Sequence, residues 1–104
     1  MHNNSLKAYT ESRSELSARA GQVLDALYFH GPKTARELKS LMGFDDMNAV
    51  RPRLTDLKDD LWVRECATTI DHKTKKTVAV YEGVTPAARA KKIEELKNGQ
   101  LDLL

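Results

Sequence analysis

The chain lacks most of what specialised chemistry requires. Cys66 is the only cysteine among 104 residues, so no internal disulfide can form, and a lone thiol fits a reducing, cytoplasmic setting. His2, His30, His72 and Cys66 show none of the paired spacings that hold zinc, so neither a metal nor another cofactor is expected. No glycine-rich phosphate loop, nucleophile elbow or two-histidine helix is present. Glu94 and Glu95 are neighbours, about 100° apart on a helix, and cannot converge as a catalytic pair. An enzyme is therefore not expected. Aromatic residues make up 6% of the chain, too few for a platform that stacks single-stranded bases. No run approaches the roughly 20 apolar residues of a membrane-crossing helix, and the polar start, Met1 to Ser5, is not expected to be a secretory signal.

What is present describes one domain with one modest core: 40% hydrophobic and 31% charged residues. The net charge of +2 permits nucleic-acid binding without arguing for it. Residues 1–14 are polar and without period, and read as a flexible arm. With Lys7 and Arg13 as its only cations, the arm is a poor groove reader. A first helix is expected over about Ser17 to Phe29, with Ala20, Val23, Leu24, Leu27 and Tyr28 on one face, stopped by His30-Gly31-Pro32. Thr34-Ala35-Arg36-Glu37 is a capping box that opens a second helix, whose stripe is Ala35, Leu38, Leu41 and Met42. Gly43 supplies the left-handed residue after it.

A third helix is expected over about Asn48 to Asp60, its apolar face formed by Ala49, Val50, Leu54, Leu57 and Leu61. Pro52 is awkward inside a helix, unless Asn48 is the N-cap and the proline falls in the first turn or just past it. Trp62 to Ile70 reads as a strand, 71–76 as a polar turn and Thr77 to Glu82 as the returning strand. Within it Val78, Val80 and Glu82 point one way, Ala79 and Tyr81 the other. Thr85-Pro86 starts a fourth helix, with Ala87, Ala90, Ile93 and Leu96 on a weakly apolar face and Asn98-Gly99 as its end. Val23, Leu24, Leu27, Leu38, Leu41, Val50, Leu54, Leu57, Trp62 and Val80 are expected to share one core.

Two helices joined by a tight turn, then a third element and a hairpin, outline an α+β winged helix-turn-helix: three N-terminal helices, a two-stranded wing and a C-terminal helix. The expected division is an arm (1–14), the winged domain (15–84), the last helix (85–98) and a tail (99–104). Such a fold lays its recognition helix in the DNA major groove. Asn48, Arg51, Thr55 and Lys58 would lie on the outer face of the third helix. Arginine grips guanine through two acceptors and asparagine does the same for adenine, which makes Arg51 the first choice for a base contact. Arg53 would meet a phosphate or the core edge. Lys33 and Thr34, at a helix start, would hold phosphate, and Lys73, Lys75 and Lys76 would sit on the wing tip. Against this stand Asp56, Asp59 and Asp60, which cancel the three cations of the helix and would repel phosphate.

Leu41-Met42-Gly43-Phe44, followed by Met47-Asn48-Ala49-Val50-Arg51-Pro52-Arg53-Leu54, resembles a family of small winged-helix proteins of phages and prophages. The Asn48-x-Val50-x-Pro52-Arg53 core is its most specific part. Leu16-Ser17-x-Arg19 and Val23-Leu24-x-Ala26-Leu27 fit upstream, and Thr74-x-Lys76-x-Val78-Ala79-Val80-Tyr81 fits downstream. The likeness covers about residues 8 to 84 and implies the winged fold with double-stranded DNA as partner, in regulation or replication. The chain departs from the pattern at Asp59-Asp60-Leu61, where a glycine-containing turn is usual. The alternative role is a protein-interaction adaptor on the same scaffold. Gln100-Leu101-Asp102-Leu103-Leu104 resembles the bacterial sliding-clamp-binding motif, in which Leu101, Leu103 and Leu104 would fill apolar pockets and Gln100 would bond at the rim.

Overall fold

In the computed structural model, Tyr9 and residues 12–102 are described, the last three by backbone alone. Arg13–Glu15 form a 3-10 turn. Arg13 pairs with Asp25 and donates to the Gly21 carbonyl at 3.0 Å, so the end of the expected arm is tied to the first helix. The rest of that arm, apart from Tyr9, lies outside the described residues. Helix α1 (Ala18–His30) starts at Ser17, whose hydroxyl accepts the Ala20 amide at 3.2 Å. It buries Ala20, Val23, Leu24 and Leu27, the three-and-four spacing of one helix face.

Lys33–Thr34 form a short strand, β1, and Thr34 also caps α2 (Ala35–Met42). The capping box is complete: the Glu37 amide donates to Thr34 Oγ1 at 3.1 Å, and the Thr34 amide to Glu37 Oε1 at 2.9 Å. Gly43 at φ +73° lets Phe44 N–H reach Lys39 O and Gly43 N–H reach Ser40 O, which satisfies the last carbonyls of α2.

The third helix begins later than its sequence suggests. Asp46, not Asn48, starts a 3-10 turn over Met47–Ala49, and α3 (Arg51–Asp59) follows from Val50. Pro52 is thereby the second helical residue, where its missing N–H forfeits no helical bond. α3 closes as α2 does, with Trp62 N–H on Leu57 O and Leu61 N–H on Lys58 O. Here a leucine, Leu61 at φ +64°, takes the left-handed position that Gly43 fills in α2. The two residues that make this closure, Leu57 and Trp62, both belong to the buried core.

β2 (Val63–Ile70) and β3 (Thr77–Gly83) form the hairpin. β1 adds to β3 through Lys33–Tyr81 and Thr34–Val80, so the antiparallel sheet has three strands in the order β1-β3-β2, one more than the expected wing. β2 carries a bulge at Cys66: Glu65 faces Tyr81, and Ala67 faces Val80. Tyr28 donates its hydroxyl to the Val84 carbonyl, and its ring crosses Gly83 so closely that a Cβ there would sit 2.8 Å from two ring carbons.

One core joins Ala20, Val23, Leu24, Leu27, Leu38, Val50, Leu54, Leu57, Trp62 and Val63. Two expected members are absent. Leu41 is 43% exposed, because Leu38, Ala35 and Met42 already fill the inward stripe of an eight-residue helix. Val80 is half-buried, and its neighbour Tyr81 packs on the core instead.

Helix α4 (Pro86–Asp102) is capped by Thr85, which accepts the Ala88 amide at 3.2 Å. It runs through Asn98-Gly99, where the sequence suggested an end. Its fastening is Arg89, 4% exposed. The guanidinium lies 4.1 Å from the centre of the Trp62 ring and donates to the Asp60 carbonyl at 2.9 Å and to Asp60 Oδ1 at 3.3 Å.

Candidate nucleic-acid interface

The first turn of α3 presents Arg51 to solvent. Arg51 and Thr55 form one wall of a crevice of about 260 Å³. The opposite wall is the sheet, through Ala79 and Tyr81, and the wing turn, through Asp71 and Thr74; Arg36 of α2 also lines it. α3 and the wing therefore open on one cleft. Asn48 is exposed in the 3-10 turn just before α3, where Asp46 Oδ1 accepts its amide at 2.9 Å.

Other expected contacts are partly committed elsewhere. The Thr55 hydroxyl donates to the Arg51 carbonyl at 3.1 Å, so its proton already has a partner. Lys58 leans back to β2, with Nζ 2.7 Å from Glu65 Oε2. The hydrogen bond to that carboxylate favours the charged ammonium and raises the Lys58 pKa. Arg53 is half-buried along the core edge, its buried Nε unbonded and 3.8 Å from Asp56. Thr34 is buried and its hydroxyl oxygen serves the α2 cap. It still lines the crevice beside Arg36, and Lys33 next to it is half-buried in β1.

Lys73, Lys75 and Lys76 are exposed on a turn with a defined shape. Asp71 N–H donates to Lys76 O at 2.9 Å and Lys75 N–H to Asp71 O at 2.8 Å, with Lys75 left-handed at φ +63°. The Asp71 carboxylate accepts the Thr74 amide and hydroxyl, each at 2.8 Å, and Arg36 Nε at 2.7 Å. The Thr74 amide bond leads in holding this carboxyl down to a pKa of about 2, with Arg36 and the Thr74 hydroxyl assisting against the opposing effect of burial. Sequence reasoning passed over Asp71, Arg36 and Arg89. An aspartate three residues before a threonine in a turn was the available signal for the first; the other two depend on tertiary contacts.

The acidic residues at the end of α3 do not line the crevice. Asp56 lies beside Arg53, and Asp60 is turned to Arg89. Among the described residues no three His, Cys, Asp or Glu side chains cluster as metal ligands, and no helix is long and apolar enough to cross a membrane. The side chains of Gln100, Leu101 and Asp102, and all of Leu103 and Leu104, lie outside the described residues.

No protein-family model matches the chain, and no curated protein matches it in sequence. Among solved structures it is similar to a cysteine-to-serine mutant of MarR from E. coli in complex with operator DNA, with a TM-score of 0.55 and 23% identity over 90% of this chain. The chain spans 64% of that neighbour. The likeness, with four helices and a three-stranded antiparallel sheet among the described residues, establishes an α+β winged helix.

Proposed function

We propose that the chain binds double-stranded DNA as a regulatory protein, with the start of α3 in the major groove and the wing turn on the adjoining backbone. The observation that carries this reading is the shared crevice: Arg51 on one wall, the wing turn on the other. The arrangement of the acids supports it, since Asp60 is neutralised by Arg89 and Asp71 by Arg36. The neighbour's operator DNA points the same way. Within this reading Arg51 and Asn48 read bases, while Lys33, Lys73, Lys75 and Lys76 meet phosphates. Arg53, Thr55 and Lys58 play a supporting part, Arg53 being half-buried beside Asp56, Thr55 bonded to the Arg51 carbonyl and Lys58 paired with Glu65. The phage or prophage setting, a part in replication and a cytoplasmic location belong to the same proposal, as does the absence of catalysis.

Anisotropy titrations on duplex DNA at low salt test it. Arg51→Ala should cost about 1–3 kcal/mol of discrimination at one base pair. Replacing Lys73, Lys75 and Lys76 should weaken binding to all sequences and flatten its salt dependence. Absence of binding at micromolar protein would end the reading.

A second reading makes the scaffold an adaptor that meets the bacterial sliding clamp through Gln100, Leu101, Asp102, Leu103 and Leu104. Its support is α4, whose sequence end carries the motif. The helical backbone over Gln100–Asp102 weighs against it, because an extended segment would have to unwind first. Deleting residues 100–104 should abolish clamp binding with the melting temperature nearly unchanged; a large fall in melting temperature would refute the adaptor.

A further inference from the structure

The wing lysines are carried by a backbone that one carboxylate organises. Asp71 accepts both the amide and the hydroxyl of Thr74, which fixes the bend of the turn. Through its other oxygen it accepts Arg36 Nε at 2.7 Å, which ties the turn to α2. The Asp71 side chain is 6% exposed and Arg36 27%, so water competes poorly for this pair. Lys73, Lys75 and Lys76 all lie inside or at the edge of the loop so fixed. Arg36, Asp71 and Thr74 line the crevice that Arg51 also faces.

We infer that Asp71 and Arg36 are positioning residues for DNA binding: together they hold the wing lysines where they and Arg51 reach one duplex. The inference rests on the DNA reading above. A loop freed from Arg36 keeps its three charges and still attracts DNA, but it neutralises fewer phosphates at once. That difference is measurable, because the slope of log K against log salt changes by about 0.9 for each phosphate neutralised on B-DNA.

The test compares salt slopes on one duplex for the wild type, Asp71→Ala, Arg36→Met and the triple replacement K73A/K75A/K76A, alone and combined. The triple replacement should reduce the slope by up to about 2.7. Asp71→Ala should reproduce most of that reduction while leaving the lysines in place. Adding the triple replacement to Asp71→Ala should then change little, since both remove the same contacts. Arg36→Met keeps the bonds between Asp71 and Thr74 and cuts only the tie to α2, so it decides the matter if Asp71→Ala does not fold. A purely structural role would lower the melting temperature and leave the slope intact. If wild type binds and both variants keep its slope, the inference fails while the DNA reading stands. If the loss from Arg36→Met adds fully to that of the triple replacement, Arg36 is itself a phosphate contact and the positioning role is overturned. If wild type does not bind duplex DNA, both readings fall.

Discussion

Arg89→Met removes the guanidinium that fastens α4 while leaving an unbranched side chain over the Trp62 ring. Two hydrogen bonds to Asp60 disappear, at 2.9 and 3.3 Å. A hydrogen bond to a charged group contributes about 1.5–3 kcal/mol, and a desolvated cation over an aromatic face adds on the order of 1–2 kcal/mol. Two effects reduce the sum. The Asp60 side chain is 16% exposed and regains some water, and the cost of burying a cation is no longer incurred. The net expectation is a loss of about 2–4 kcal/mol. For a domain of this size that corresponds to a fall of roughly 8–30 °C in melting temperature. Trp62, the only tryptophan, is an internal probe, so urea unfolding followed by its fluorescence and by far-ultraviolet circular dichroism reads both the site and the helices. A double-mutant cycle with Asp60→Asn should show only a small coupling, since the backbone carbonyl of residue 60 and the Trp62 ring survive that change and the 3.3 Å side-chain contact alone is altered. A loss below about 1 kcal/mol for Arg89→Met would refute the fastening argument.

Leu54→Ala, at a site 1% exposed, should cost about 2–5 kcal/mol in chemical denaturation, whereas Leu41→Ala, on the surface, should cost under about 1 kcal/mol. Gly83→Ala places a methyl group 2.8 Å from the Tyr28 ring and should destabilise by about 1–3 kcal/mol; the penalty should shrink when Tyr28→Ala is added, and an equal penalty in both backgrounds would locate the strain elsewhere. Asp71, with its folded pKa near 2, stabilises the fold above the ordinary carboxylate range, and that contribution disappears as pH falls from about 4 towards 2. Asp71→Asn should therefore narrow the drop in melting temperature across that interval, and an unchanged drop would dissociate Asp71 from acid unfolding.

Local chemistry was the legible part of the sequence. The Thr34–Glu37 box, the left-handed Gly43, the Thr85-Pro86 helix start and the two wing strands all follow from neighbours within a few residues, and all stand in the structure. Elements created by distant contacts were not legible. β1 is two residues long and exists because β3 lies beside it. The Cys66 bulge shifts register without any glycine to announce it. Arg89 looks like one more surface cation until Trp62 and Asp60 are placed beneath it. Leu61 shows the limit of composition in another way: its position takes a left-handed backbone that glycine adopts freely, yet a leucine stands there, next to the buried Trp62. At the candidate interface, the exposure of Arg51 and the lysines was readable from pattern, and the core edge was one of the two places expected for Arg53. The burial of Thr34 and the pairing of Lys58 with Glu65 were not readable.

The bulge at Cys66 has a consequence for how this hairpin can vary. A β-strand alternates strictly, so an extra residue acts as a change of phase. Below it, Val63 and Glu65 share a sheet face with Gly83 and Tyr81; beyond it, Thr68 and Ile70 take over that face, opposite Ala79 and Thr77. The root of the hairpin answers to the core, and the tip is indexed afresh. Residues 67–77 are thus indexed separately from the root: a differently charged tip that keeps Asp71, Thr74 and their tie to Arg36 leaves the faces of the root unchanged. Any exchange that drops the extra residue inverts every side chain in the outer half of β2. The same protein body can in this way carry wing tips of different charge, with Cys66 as the splice point.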